Sequence, residues 1–192
     1  MTTYYVGLDV HKKTVSYCIK SASGAVMNEG VVSANRKALG QWAQGLKEQR
    51  CGGMEATLFT GWIYDFLKPY ASVLRVAHPL RLRAIAAAKK KSDRIDAATL
   101  ADLLRCELFP DCYMAPPEIR ELRRVLRYRN LLVQQATRMK NKMSGLLMEV
   151  GATYDKKRLH GARYFSELLD GLADVPASVV ELLKMTRVNL RV

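Results

Sequence analysis

The N-terminal stretch up to Ser33 carries three β-prone runs with short turns between them. These runs cover residues 4–10, 14–19 and 26–33. His11-Lys12-Lys13 separates the first two, and Ser21-Ala22-Ser23-Gly24, a combination typical of turns, follows the second. Such spacing predicts an antiparallel three-stranded meander. Asn35 then predicts the N-cap of a helix that ends near residue 47.

After this helix the polarity pattern alternates between strands and helices. We expect a strand at about 52–56, a helix at about 60–70, a strand at 72–77 that Pro79 ends, and a helix at about 92–105. Together with the meander, this order predicts an α/β fold, in which a mixed sheet has helices on both faces. Pro110, Pro116 and Pro117 mark a boundary. The predicted domains are therefore 1–109 and 110–192.

The second domain is expected to be almost entirely helical. Starting at Leu122, steps of three and four residues reach Val150 through apolar side chains, with Arg129 as the one exception. Two interpretations stay open: a coiled coil between chains, which we favour, or a helix that packs on the chain's own core. Further helical stretches at 161–172 and 179–192 can return alongside it. The helical pattern has no visible end at Val192, so we expect the sequence to be a fragment of a longer protein.

The charge balance favours an acidic polymer as partner. The chain contains 31 Lys and Arg against 18 Asp and Glu, a formal net charge of +13, while 49% of its residues are hydrophobic and can build a core. An anionic membrane is the weaker alternative, because no apolar run is long enough to span a bilayer. No secretory signal begins the sequence, so we expect a cytoplasmic protein that binds nucleic acid.

Most acidic residues stand beside basic ones in predicted helices, but four carboxylates occupy less ordinary places. They are Asp9, Glu55, Asp93 and Asp96. Asp9 interrupts an apolar strand and Glu55 ends another, while the last two share the first turn of a helix opened by Ser92. Taken alone, the helical pair is most simply an N-terminal charge pair. If the fold brings all four together, two Mg²⁺ ions would relieve their repulsion and could support phosphodiester cleavage or transfer.

Three motifs resemble one known family. Gly7-Leu8-Asp9-Val10-His11-Lys12, Met54-Glu55-Ala56-Thr57 and Lys91-Ser92-Asp93-Arg94-Ile95-Asp96-Ala97 are similar to motifs of the transposases, or recombinases, of the insertion-sequence one-hundred-ten group and of the Piv-type DNA invertases. The resemblance implies a ribonuclease-H-like domain similar to the Holliday-junction resolvase RuvC. It also implies that Asp9, Glu55, Asp93 and Asp96 form a D-E-D-D set of catalytic metal ligands for Mg²⁺, with Mn²⁺ as a substitute.

The family resemblance also implies partners and a further domain. Its members recognise DNA through a structured bridge RNA and assemble as homodimers and tetramers. They carry a nucleophilic serine in a C-terminal domain, and none of the 192 residues matches that domain. We therefore expect a Mg²⁺-dependent, RNA-guided DNA recombinase that is truncated here.

Basic residues provide candidate nucleic-acid contacts. Between Arg120 and Lys142, eight Lys and Arg face a single acid, Glu121, whereas a solvated helix face usually mixes signs. The predicted nucleic-acid-binding residues are Lys89, Lys90, Lys91, Arg94, Arg120, Arg123, Arg124, Arg127 and Lys140. His11 could reach the acids, although a turn histidine is more often only exposed.

Two other functions are compatible with these patterns. One is a RuvC-like, structure-specific endonuclease in which metal-activated water attacks the phosphodiester and no serine is needed. The other is a non-catalytic nucleic-acid-binding or oligomerisation module whose acids are structural. Sugar kinases share the Gly-x-Asp opening, but the sequence has no Gly-rich phosphate-binding turn after its first hairpin.

Overall fold

The computed structural model describes residues 4–46, 49–86, 92–172 and 174–190. The chain divides after Met114 into two compact units, which we call the sheet unit and the helical unit. This division lies a few residues beyond the boundary that the prolines predict.

Within the described residues, the sheet unit contains five strands and four helices. The strands are β1 (Tyr4–Val10), β2 (Thr14–Lys20), β3 (Val26–Ser33), β4 (Arg50–Glu55) and β5 (Val73–Ala77). The helices are α1 (Arg36–Gln44), α2 (Thr60–Leu67), α3 (Pro79–Ile85) and α4 (Asp93–Arg105), and a 3₁₀ turn at Lys68–Tyr70 follows α2. Asn35 caps α1 by accepting a hydrogen bond from the Ala38 backbone N–H at 2.9 Å, as its residue type predicts.

The five strands form one mixed sheet in the order β3-β2-β1-β4-β5. The first three strands pair antiparallel, and β4 and β5 extend the sheet in parallel with β1. The predicted meander and the predicted α/β succession are both confirmed. This strand order is that of the ribonuclease-H-like fold.

Helices cover both faces of the sheet. Apolar side chains of β1 point alternately to the two faces, and on each face they pack against helices. On one face, Leu8 belongs to a core with Leu39 of α1 and Ile63 of α2. On the other face, Tyr5 packs against the cluster that contains Leu104 of α4. Both faces of the sheet at β1 are therefore covered by helices, which confirms the layered arrangement predicted from the sequence.

Helix α3 was not predicted, because Pro79 was interpreted only as the end of a strand. Proline is well suited to the first position of a helix, where its missing N–H has no partner to lose. The Leu82 backbone N–H donates to the carbonyl of His78 at 2.9 Å and closes the first turn. The predicted contacts Lys89, Lys90 and Lys91 lie outside the described residues.

The helical unit is built from α5 (Pro117–Glu149), α6 (Ala162–Asp170) and α7 (Ala177–Asn189). The C-terminal part of the predicted heptad seam lies in its core, where Met143 and Leu146 pack with Phe165 and Leu183. The N-terminal part is exposed: Leu122, Val125 and Leu132 keep 54%, 56% and 50% of their surface accessible. Packing on the chain's own core thus accounts for the C-terminal part, while the coiled coil stays a prediction for the N-terminal part.

Helix α5 is long enough to cross a bilayer but not apolar enough. Its 33 residues correspond to about 50 Å of helix. Its first half alternates exposed apolar side chains with arginines such as Arg123 and Arg127. No helix among the described residues combines the length and the apolarity of a membrane span.

Candidate active site

Asp9 and Glu55 lie side by side at one edge of the sheet. In the parallel pair β1–β4, Leu8 is opposite Met54, so the next residues along the two strands are the two acids. Parallel strands end at the same edge, and the alternation of side chains places both acids on the face covered by α4. Strand pairing alone therefore brings together two acids that are far apart in the sequence.

Gly7 lets α4 approach this face closely. A Cβ at Gly7 would overlap the carbonyl oxygen of Ala97 and would lie 2.6 Å from the backbone nitrogen of Ala101, both on α4. Real Cβ atoms do not come this near to backbone atoms, so only glycine permits the observed packing distance. The helix that carries Asp93 and Asp96 thus lies directly on β1.

The first turn of α4 brings its two acids to the end of β1. Ser92 caps the helix, its Oγ accepting from the Ile95 backbone N–H at 3.3 Å. Asp93 approaches the His11 ring, with 3.5 Å between its Oδ1 and the histidine Nε2. Asp96 instead lines a cleft between the helix and the strand ends.

The cleft has a volume of about 130 Å³ and gathers three of the four predicted acids. Asp9, Glu55 and Asp96 line it, together with Leu82, Arg83, Ala86, Thr99 and Leu100 of α3, its C-terminal neighbour and α4. Asp93 is not among the lining residues. It belongs instead to a second group, in which one ligand atom each from Asp9, His11 and Asp93 lie within 4.8 Å of one another. Asp9 is common to both groups.

The charges of these groups perturb one another. Burial raises the pKa of Asp9 above its ordinary value, and repulsion from Asp93 and Asp96 raises it further, whereas His11 lowers it. Burial by itself would lower the pKa of His11, but attraction and hydrogen bonding to Asp9 and Asp93 raise it overall. A cation among the acids would relieve the repulsion between them.

The residue types suit a divalent metal ion. Carboxylate oxygens are the hard ligands that Mg²⁺ prefers, and Asp9, Glu55 and Asp96 line one small polar cleft. Among the described residues, the ligand atoms that lie within 4.8 Å of one another are those of Asp9, His11 and Asp93. The cleft also receives Arg83, whose guanidinium is suited to a phosphate rather than to a metal. A site that joins acids and an arginine matches the chemistry of a metal-bound phosphodiester.

Comparison with known proteins assigns the family. A family model for DEDD-type transposases of the IS110 group, described as "Transposase", matches residues 6–151. The chain belongs to this transposase family. The match covers all three motifs noted in the sequence and includes the four acids. No curated protein matches the chain. Family membership makes the chain part of a DNA-processing system, and the acids described above lie within the matched region.

The predicted nucleic-acid contacts of the transposase differ in their surroundings. Arg94 forms an ion pair with Glu29, and Arg124 forms one with Glu121. The Arg120 guanidinium donates to the carbonyl of Ala115 at 3.0 Å. The remaining described members, Arg123, Arg127 and Lys140, lie on exposed positions of α5. Arg94 and Arg124 are exposed as well, so every described member except the half-buried Arg120 lies on an exposed position.

Two site residues were missed or undervalued from the sequence. His11 is half exposed, as a turn histidine is expected to be, yet its Nε2 is 3.1 Å from Asp9 Oδ2. Its spacing of two residues from Asp9, across the end of the strand, was the available signal. Arg83 carried no such signal, because α3 itself was not predicted.

Proposed function

We propose that this transposase catalyses Mg²⁺-dependent phosphodiester cleavage and strand transfer during insertion-sequence transposition, acting as an RNA-guided DNA recombinase. Asp9, Glu55, Asp93 and Asp96 would be its metal ligands, and Mn²⁺ would substitute for Mg²⁺. The observation that carries the proposal is the convergence of Asp9, Glu55 and Asp96 on one cleft, with Asp93 beside Asp9.

Each side chain of the site has a task that follows from its position. When bound, the metal ions would polarise the phosphodiester and stabilise charge on the attacking and leaving oxygens. Asp9, which belongs to both groups, would orient the two parts of the site relative to each other. Arg83 would hold a non-bridging phosphate oxygen, because it is the one cation among the described residues that line a cleft whose other charged residues are acids.

The two regions of the chain would divide the work. Residues 1–109 would form the catalytic domain, and residues 110–192 the dimerisation and nucleic-acid-binding region. On the exposed half of α5, apolar residues such as Leu122 and Leu132 alternate with arginines. A second copy covering the apolar positions would leave Arg123 and Arg127 to contact DNA or a structured bridge RNA. We propose that the chain assembles through this face as a homodimer, or as a tetramer on DNA.

Recombination in cells tests the function. The transposase gene and a plasmid that carries the insertion sequence with its flanks would be placed in a bacterial host, and new DNA junctions would be sequenced. Asp9→Asn and Asp96→Asn should reduce junctions to background, because each removes a charged metal ligand. Asp170→Asn, an exposed acid at the end of α6, is the control and should retain recombination.

RNA guidance is tested in the same cells. Deleting the RNA-coding segment of the element, while its recombining DNA ends are kept and the protein is supplied separately, should abolish junctions, and expressing that RNA from a second plasmid should restore them. Recombination without any element RNA would contradict RNA guidance.

Recombination by an Asp9→Asn enzyme, in the first test, would contradict the assignment of the active site.

A further inference from the structure

His11 occupies a fixed position beside two acids of the site. It follows β1 directly, in the tight turn to β2, and its backbone N–H donates to the carbonyl of Thr14 at 2.9 Å. This hydrogen bond closes the hairpin and fixes the position of the His11 backbone, from which the imidazole ring extends. The ring Nε2 then lies 3.1 Å from Asp9 Oδ2 and 3.5 Å from Asp93 Oδ1.

These distances match those between neighbouring ligands of one metal ion. Metal–ligand bonds of about 2.1 Å that meet at a right angle place two ligand atoms about 3.0 Å apart. The two distances from the ring nitrogen, 3.1 and 3.5 Å, lie near this spacing, and the three ligand atoms, from three different residues, all lie within 4.8 Å of one another. Asp9 and Asp93 alone would be an acidic pair. The imidazole makes the group a mixed nitrogen and oxygen donor set.

We propose that His11 is a nitrogen ligand in a metal position that it shares with Asp9 and Asp93, distinct from the all-oxygen position formed by Asp9, Glu55 and Asp96. The inference rests on the metal dependence of the proposed function and adds a ligand to it. The ligand atoms of Asp9, His11 and Asp93 lie within 4.8 Å of one another, whereas Asp9, Glu55 and Asp96 line one cleft, so Asp9 is the residue common to both groups.

The two donor sets should prefer different metals. Carboxylates alone suit Mg²⁺, whereas imidazole favours Mn²⁺ and Co²⁺, which stand above Mg²⁺ in affinity for nitrogen ligands. Removing the imidazole should therefore weaken Mn²⁺ binding at one position much more than Mg²⁺ binding. The all-oxygen position should keep its affinity.

Metal binding without nucleic acid tests this directly. The purified 192-residue chain would be titrated with Mn²⁺ by calorimetry, and the Mn²⁺ complex would be examined by pulsed electron paramagnetic resonance for nitrogen coupling. We expect two classes of Mn²⁺ site and a directly bound nitrogen. In His11→Ala and His11→Gln the nitrogen coupling should disappear, and the affinity of one class should fall at least tenfold.

The control is Lys12→Ala, an exposed neighbour in the same turn, which should keep the nitrogen coupling. Thermal unfolding of each variant checks that the sheet unit is folded. Mn²⁺ bound without nitrogen coupling in the unaltered chain, or coupling that persists in His11→Ala, would overturn the role of His11 and leave the proposed function standing. If the chain binds no Mn²⁺ and recombination is also indifferent to Asp9→Asn, both proposals fail.

Discussion

Replacing Gly7 with alanine tests whether the distance between β1 and α4 builds the site. The added Cβ would overlap the Ala97 carbonyl and lie 2.6 Å from the Ala101 nitrogen, whereas ordinary contact begins at 3.4 Å. Relief of the Ala101 contact alone requires the helix to withdraw by 0.8 Å, and the closer overlap with the Ala97 carbonyl requires more. Both obstacles are backbone atoms that no rotamer change can move. Overpacking of a core costs about 1–3 kcal/mol, and we expect a loss near 3 kcal/mol in the free energy of unfolding.

The chain offers a matched control and a selective probe for this measurement. A Cβ at Gly45 would meet only ordinary contacts, and its φ of −68° suits alanine, so Gly45→Ala should change stability by less than about 1 kcal/mol. The two tryptophans, Trp42 and Trp62, both belong to the sheet unit, so their fluorescence during urea unfolding reports that unit.

The same substitution should also weaken Mn²⁺ binding, because it moves Asp93 and Asp96 away from Asp9. A Gly7→Ala chain with unaltered urea midpoint and unaltered Mn²⁺ affinity would refute the reasoning. Loss of stability with intact metal binding would show instead that the helix can withdraw without displacing the acids.

Three further predictions follow from burial and charge. With metal chelated, Asp9→Asn should raise the melting temperature at pH 7. The pKa of Asp9 is raised in the folded state, so ionisation of Asp9 destabilises the fold as the pH rises through that pKa, and the asparagine removes this penalty. Near pH 3, where the carboxyl is protonated in both states, the gain in melting temperature should vanish. Leu146→Glu should unfold the helical unit at a cost of at least about 3 kcal/mol, measured as a loss of circular dichroism. The exposed Leu132→Glu should keep the helices and abolish the proposed dimer, as measured by light scattering. Arg123→Ala with Arg127→Ala should lower the salt dependence of nucleic-acid binding by up to about two units in a filter assay, and an unchanged slope would place the contacts elsewhere.

Turn residues and helix caps explain why the strands and the helices next to them could be predicted so closely. The β-prone runs are separated by unambiguous turn residues, and the residue types at Asn35 and Ser92 are the ones that cap helices. Helix α3 could not be found in the same way. It has seven residues, too few to show a helical period, and it begins with a proline that fits a strand end equally well.

The heptad seam shows a different limit of sequence analysis. The apolar steps along α5 run from Leu122 to Leu146 with only Arg129 as an exception, yet Leu122 is exposed and Leu146 is only 5% exposed. Periodicity identifies the apolar face of a helix but not what covers it. The part of α5 that is covered depends on where α6 and α7 pack against it. The apolar pattern within α5 does not specify this position.

The position of the site depends on the register of one short strand. Side chains of β1 alternate, so Gly7 and Asp9 face α4 while Leu8 faces α1 and α2. Gly7 sets how near the helix comes, Asp9 supplies the carboxylate common to both groups, and His11 follows where the strand turns back. A one-residue slip would place Leu8 against the acids and bury Asp9 in the apolar core. Packing of Leu8 in that core therefore stabilises the register that places the Asp9 carboxylate in the site. The side chains on the apolar face of β1 thus determine the position of the carboxylate on its other face.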